Sequence, residues 1–173
     1  MLYWSEYKGH PVEKYKNKDL TIYTFDIETT SYIFLHGNVF STSEYLSLSD
    51  DDKEECEPGA TMYIWQFGIN DQVYYGRTWE EFKQFLDRLE ANSKAQKKIF
   101  VHNLSFEFQF LRSVVKMKSV FSRISRKVMK CTLEDYHITF QCSLYLSGVK
   151  LADLPRIYDL PVQKMIGDLD YFE

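Results

Sequence analysis

Apolar and polar positions along the chain predict a run of separate elements. From residue 19 to 26, Asp-Leu-Thr-Ile-Tyr-Thr-Phe-Asp is β-branched and aromatic with apolar groups on both faces, which predicts a central core strand. Residues 61 to 69 and 72 to 75, separated by Asn70-Asp71, predict a hairpin. Thr78-Trp79-Glu80-Glu81 then reads as a capping box, opening a helix on which Trp79, Phe82, Phe85, Leu86 and Leu89 keep helical spacing. Ile99-Phe100-Val101 predicts a short buried strand. A second helix is expected from about Leu104 to Lys116, with Leu104, Phe108, Leu111 and Val115 on a core stripe. On another face of it Asn103 and Glu107 fall one turn apart.

The remaining stretches are less regular. Residues 119 to 130 and 131 to 140 alternate well enough to predict another hairpin, and residues 151 to 158 a helix weakened by Pro155. Residues 1 to 18 read as an irregular lead-in. From about 31 to 59 the periodicity is lost, and the run Asp50-Asp51-Asp52 followed by Glu54, Glu55 and Glu57 reads as a polar, acidic insertion, most simply a solvated loop. Strand, strand, strand, helix, strand, helix is the order of an α/β domain with a mixed central sheet flanked by helices. In such sheets chemistry gathers at strand ends and the helix N-termini that follow, where Asp26, Glu28 and Asn103 fall.

Composition narrows the picture. A chain of 173 residues with 45% hydrophobic residues is long enough for one domain with its own core. The formal net charge of −4 gives no global attraction for nucleic acid, so such a partner requires a local patch. One candidate patch exists: between Lys116 and Lys130 there are six basic residues and no acidic one. Aromatic residues make up 17%, enough to fill a core and leave rings for stacking on bases. Cys56, Cys131 and Cys142 form no C-x-x-C pair, which argues against a zinc ribbon or disulfide framework. The N-terminal stretch has no signal-peptide core and no apolar run is long enough to span a bilayer, so a cytoplasmic setting without membrane partners is expected.

Two acidic side chains one residue apart on a strand, Asp26 and Glu28, point to the same side of it. With Glu107 they offer oxygen ligands suited to Mg²⁺ or Mn²⁺ in a two-metal site for phosphodiester hydrolysis. By itself a D-x-E pair is equally a solvated strand end or half of an ion pair.

The second stretch changes that balance. Phe25-Asp26-Ile27-Glu28-Thr29-Thr30 together with Val101-His102-Asn103-Leu104-Ser105-Phe106-Glu107 resembles the first two exonuclease motifs of family B DNA polymerases, most closely the bacteriophage protein-primed type. Ser143-Leu144 resembles that family's Ser-Leu motif, and Gly167-Asp168-Leu169-Asp170-Tyr171 its Gly-Asp stretch, in the same order. The resemblance runs from about residue 20 to the C-terminus. It implies a ribonuclease H-like (DnaQ-like) exonuclease fold over residues 1–173 and a proofreading 3′-to-5′ exonuclease acting on single-stranded DNA ends with Mg²⁺ or Mn²⁺. The implied metal ligands are Asp26, Glu28 and Glu107. Thr29, Asn103 and Phe106 would hold the 3′ end, Ser143 and Leu144 would support it, and His102 would sit beside the groove. If the chain is phage-derived, the setting is the cytoplasm of a bacterial host.

Three departures qualify the resemblance. Glu107 stands where the family has Asp, longer by one methylene. The family's catalytic lysine precedes Gly-Asp, where this chain has Ile166, with Lys164 two residues earlier as a substitute. No Tyr-x-x-x-Asp follows the Gly-Asp stretch, and no polymerase domain follows it in this sequence. The expectation is therefore a C-terminally incomplete exonuclease region whose partners would be single-stranded DNA and a C-terminal polymerase portion. Its activity would be low unless completed. The alternative is a non-catalytic module of the same fold that binds single-stranded DNA or another protein.

Overall fold

The computed structural model describes residues 1–164. In chain order the strands are β1 (Leu2–Tyr3), β2 (Lys14–Tyr15), β3 (Lys18–Asp19), β4 (Tyr23–Leu35), β5 (Asn38–Phe40), β6 (Glu57–Ile69), β7 (Gln72–Gly76), β8 (Lys97–Val101), β9 (Met117–Ile124), β10 (Lys127–Leu133) and β11 (Ile138–Cys142). The helices are α1 (Thr42–Tyr45), α2 (Asp50–Glu54), α3 (Trp79–Asn92), α4 (Leu104–Val114), α5 (Leu144–Ser147) and α6 (Leu154–Ile157). The main sheet runs β1-β7-β6-β4-β8-β11-β10-β9, with β5 added beside the far end of β4; β2 and β3 form a separate small hairpin. β4 is antiparallel to β6 and parallel to β8, and β8 is parallel to β11, so this is the mixed sheet expected.

One face of the sheet carries the core. Tyr23, Phe25 and Ile27 of β4, Ile99 and Val101 of β8, and Ile138 and Phe140 of β11 are buried in one cluster with Phe82, Phe85, Leu86 and Leu89 of α3 and Leu104 and Leu111 of α4. Ring contacts bind it together: Phe25 stacks on Phe82 at 4.9 Å, and Trp65 meets Phe82 and Phe85 at 5.3 and 5.4 Å. β4 is central, as its sequence predicts, but the second face of its first half is not buried: Thr24 and Asp26 are exposed, and so are Leu20 and Ile22 just ahead of the strand, at 52% and 61%. Apolar residues on both sides of the alternation therefore overstate how deeply the strand lies.

The capping box at α3 forms as read, Thr78 Oγ1 accepting the Glu81 N–H and Glu81 Oε2 accepting the Thr78 N–H, both at 3.1 Å. Other stretches differ from expectation. The acidic stretch from 31 to 59 is not an open loop. β4 continues to Leu35, turns through His36 and Gly37 at φ 48° and 84° into β5, and returns after α1 and α2 as the start of β6. Left-handed φ at two successive residues suits a tight hairpin turn, and cross-strand hydrogen bonds hold the arm without an apolar alternation to betray it. The hairpin predicted with its reversal near residue 130 instead reverses at Ser125-Arg126, and a second reversal leads from β10 to β11. Pro155 falls in the first turn of α6, where its missing N–H costs nothing, and Leu151–Asp153 ahead of it forms a 3-10 turn. The lead-in is not irregular throughout. β1 pairs parallel with β7, and Trp4 and Tyr7 are buried. The stretch Gly167 to Tyr171 lies outside the described residues.

Candidate active site

Parallel pairing places the chemistry. Tyr23 and Thr24 of β4 pair with Ile99 and Phe100 of β8, and β8 stays in register with β11 up to Val101 opposite Cys142. The strands therefore deliver Asp26, His102-Asn103 and Ser143-Leu144 to the same end of the sheet. Pairing of β4 with β8 stops at Thr24, and beyond that point a cleft of about 560 Å³ opens. Its walls include Asp26 and Glu28 from β4, and His102, Asn103, Phe106 and Glu107 from the β8–α4 junction. Leu144, Lys127, Lys150 and Lys164 also line it.

Each side chain has a local reason for its position. Asp26 pairs across with Gln66 and Glu28 with Ile64, so the two carboxylates share one face of β4; a register shift follows immediately between Glu28 and Thr29. Thr29 does not line the cleft. Asn103 takes a left-handed backbone, φ 71° and ψ 54°, and its side chain makes no capping bond, so it is free to face a ligand. The Ser143 N–H donates to Val101 O at 2.9 Å, and its hydroxyl lies 3.0 Å from His102 Nδ1, fastening the two strand ends to each other. Ser143 thus stands behind His102 while Leu144 reaches the cleft itself. Phe106 is 42% exposed at its rim, and Phe108 packs on the core, as the helical stripe predicts.

Burial raises the proton affinity of all three carboxyls. Glu107 is 3% exposed, and burial pushes its carboxyl up to about 8, with the charges of Asp26 and Glu28 adding to the rise. Burial also raises Asp26, opposed by the Ile27 N–H, a hydrogen bond with Glu107 and the charges of Lys164 and His102. Glu28 is raised by burial and then by Asp26, with Lys164 again opposing. The rise favours the protonated form of Glu107 beside Asp26 near neutral pH.

Buried Glu107 Oε2 and His102 Nε2 have no hydrogen-bond partner within the chain. Unpaired buried polar atoms beside this cleft are what an entering cation or polar ligand would satisfy. Among the described residues no group of three or more His, Cys, Asp or Glu side chains is gathered as a metal site. Asp26, Glu28 and Glu107 bring to the cleft oxygen donors of the type that hard divalent cations take, without being gathered into a ligand set.

The backbone is similar to solved structures of the phi29 DNA polymerase. Against the polymerase complexed with single-stranded DNA the TM-score is 0.57 at 14% identity, covering 86% of this chain and 25% of that chain. Against the ternary complex with primer-template DNA and incoming nucleotide substrates it is 0.55 at 16% identity, covering 88% and 25%. Against the post-translocation binary complex it is 0.55 at 16% identity, covering 87% and 25%. The fold is one found within a DNA polymerase. The chain spans about a quarter of the length of the polymerase chains it matches. No protein-family model matches the chain, and no curated protein matches it.

Of the residues singled out in the sequence, Asp26, Glu28, His102, Asn103, Phe106, Glu107, Leu144 and Lys164 meet in the cleft, with Ser143 one contact behind and Thr29 outside it. Lys127 and Lys150 are additions. Lys127 belongs to the basic run already visible in the sequence, whereas nothing but its charge marks Lys150. The chain has one Tyr-x-x-x-Asp, Tyr15 to Asp19, but it precedes the first motif. Asp19 is buried there, accepting from the Tyr23 hydroxyl at 2.5 Å and the Thr21 N–H at 2.9 Å, and it lines a different pocket. No helix among the described residues is long and apolar enough to cross a membrane.

Proposed function

We propose that the chain is the 3′-to-5′ exonuclease region of a phage-type family B DNA polymerase, with a ribonuclease H-like fold, hydrolysing single-stranded DNA ends with Mg²⁺ or Mn²⁺. The observation that carries this reading is the convergence of Asp26, Glu28 and Glu107 with Asn103, Phe106 and Leu144 in one cleft at the end of parallel strands. The likeness to phi29 DNA polymerase supports it at the level of fold.

Asp26, Glu28 and Glu107 would hold the cations, which when bound lower the pKa of a bound water and stabilise the leaving oxygen. The chain's own groups perform the rest. Phe106 offers an exposed ring to a terminal base, Asn103 a side-chain amide free of capping duty, and Leu144 an apolar wall. Lys127, Lys150 and Lys164 offer positive charge to the phosphates from three directions of the chain. Glu107 must release its proton before it can act as a ligand.

A second reading is favoured by one observation, the absence of a gathered three-ligand group among the described residues. On that reading the cleft binds single-stranded DNA without cutting it. An end-labelled oligonucleotide separates the two. Metal-dependent shortening from the 3′ end that Asp26→Ala abolishes supports the exonuclease, and retardation without shortening supports the binding module.

A further inference from the structure

We propose that the β9–β10 hairpin is a phosphate-contacting track along which single-stranded DNA leaves the cleft. This rests on the reading of the cleft just given and extends it to a surface outside. The chain as a whole is acidic, yet of the six basic residues from Lys116 to Lys130, Lys118 and Arg123 fall on β9, Lys127 and Lys130 on β10, Arg126 in the turn between them and Lys116 just ahead of β9, all at one edge of the sheet. Every residue of β9 after Met117 is exposed, Phe121 to 57%. Charged side chains on an edge strand also serve to prevent edge-to-edge pairing, and that alone would account for lysines here.

Two features go beyond edge protection. Lys127, at the start of β10, lines the same cleft as Asp26 and Glu107, so the basic surface is continuous with the candidate active site. Val128, flanked on both sides by register shifts, donates its N–H to Ser105 Oγ at 2.8 Å in the first turn of α4. The tip of the hairpin is thereby pinned beside Asn103 and Phe106, a tether that protection of an edge does not require. Arg123 and Arg126 stand exposed at that tip and Lys118 farther along β9. Eight residues of extended strand span roughly 26 Å, longer than the cleft needs for a terminal nucleotide. Lysine and arginine along such a surface attract the backbone whatever the sequence, and exposed Phe121 adds a ring for stacking.

The test uses the full chain, EDTA to prevent cleavage, and labelled oligothymidylates of about 5 and about 20 nucleotides, chosen around the usual 4–16-nucleotide footprint of single-strand sites. In Lys118→Ala/Arg123→Ala/Arg126→Ala, affinity for the long probe is expected to fall roughly tenfold, and the slope of log affinity against log salt to flatten by about 2. Affinity for the short probe should stay within about twofold of the parent. Arg123→Lys/Arg126→Lys should retain the parent's affinity. Equal losses on both probes, no loss on the long one, or no binding of the long probe by the parent would overturn the proposal. So would a triple variant that self-associates while binding DNA as the parent does, the signature of edge protection alone. Failure of the cleft reading has a different signature: Phe106→Ala leaving the short probe's affinity unchanged.

Discussion

Glu107 on α4 and Asp26 on β4 are neighbouring carboxyls of one cleft whose proton affinities are coupled: Asp26 adds to the rise of Glu107, and Glu107 opposes the rise of Asp26. Burial sets the direction: the more enclosed of the two groups keeps the proton because an ion there would lose more hydration.

Stability without metal should therefore fall as pH rises. Glu107 has a folded-state pKa of about 8 against an ordinary 4.5, so between those values the folded chain binds more protons than the unfolded one. Its contribution is fully present below about 4.5 and is lost as pH approaches and passes 8. Asp26 and Glu28, also raised, act in the same sense. Thermal melting in EDTA from pH 5 to 8.5 should show a decline in the parent that is markedly shallower in Glu107→Gln. Parallel curves for the two would remove Glu107 as the cause.

Mg²⁺ or Mn²⁺ should counter that decline. Binding requires deprotonated ligands, so the stabilisation by a fixed metal concentration should grow from pH 6 to pH 8.5 and be accompanied by proton release. Asp26→Ala should reduce both effects to the level of a nonspecific salt. Calorimetry in buffers of different ionisation enthalpy reads the proton count, and a count of zero in the parent would contradict the assignment of Glu107 as a ligand.

Ser143→Ala should loosen the junction between the two parallel strand ends. The hydroxyl lies 3.0 Å from His102 Nδ1, and His102 Nε2 already has no partner within the chain, so the substitution leaves the imidazole with neither nitrogen bonded to protein. A cost of about 1 kcal/mol is expected, lowering the melting temperature by roughly 2–4 °C. Ser143→Thr, which keeps the hydroxyl, should recover most of it. An unchanged melting temperature in Ser143→Ala would mean that solvent replaces the bond.

Gly76→Ala should be costlier than its size suggests. A β-carbon there would run into the indole of Trp65, which is fully buried and held by its own N–H to Thr78 O at 2.9 Å. The ring is rigid and packed against Phe82 and Phe85, so the strain has no easy outlet. Overpacking of this kind typically costs about 1–3 kcal/mol. Chemical denaturation measures it, and a loss below about 0.5 kcal/mol would show that the β7 backbone can move away.

Local codes in the sequence proved sufficient for some elements. Thr78 and Glu81 cap α3 because the signal lies within a single turn, and Leu104, Phe108 and Leu111 line α4 because a helix repeats its faces at short range. In the arm from Phe34 to Glu57 only the β4–β6 ladder joins residues more than twenty apart; β5 pairs with β4 at separations of three to seven, and Ser41 with Glu44 and Ser49 cap α1 and α2 within single turns, local signals that the run of acidic residues overshadows. The reversal at Ser125-Arg126 was missed because it depends on Arg126 accepting a left-handed φ of 63°, which arginine does not advertise.

The same division holds for the site. By itself the sequence determined which chemistry was available: two carboxylates in alternation, His102-Asn103 ahead of a helix, Ser143-Leu144 after a strand, and a basic run without acids. Only the tertiary structure decided that they meet, because parallel pairing of β4, β8 and β11 aligns strand ends far apart in the chain. It also decided that Glu107 is the enclosed carboxyl, that Thr29 lies outside the cleft, and that Lys127 carries the basic edge into it. Residue type sets what a group can do, whereas burial and proximity set its charge and partners, and those arise only when the sheet closes around it.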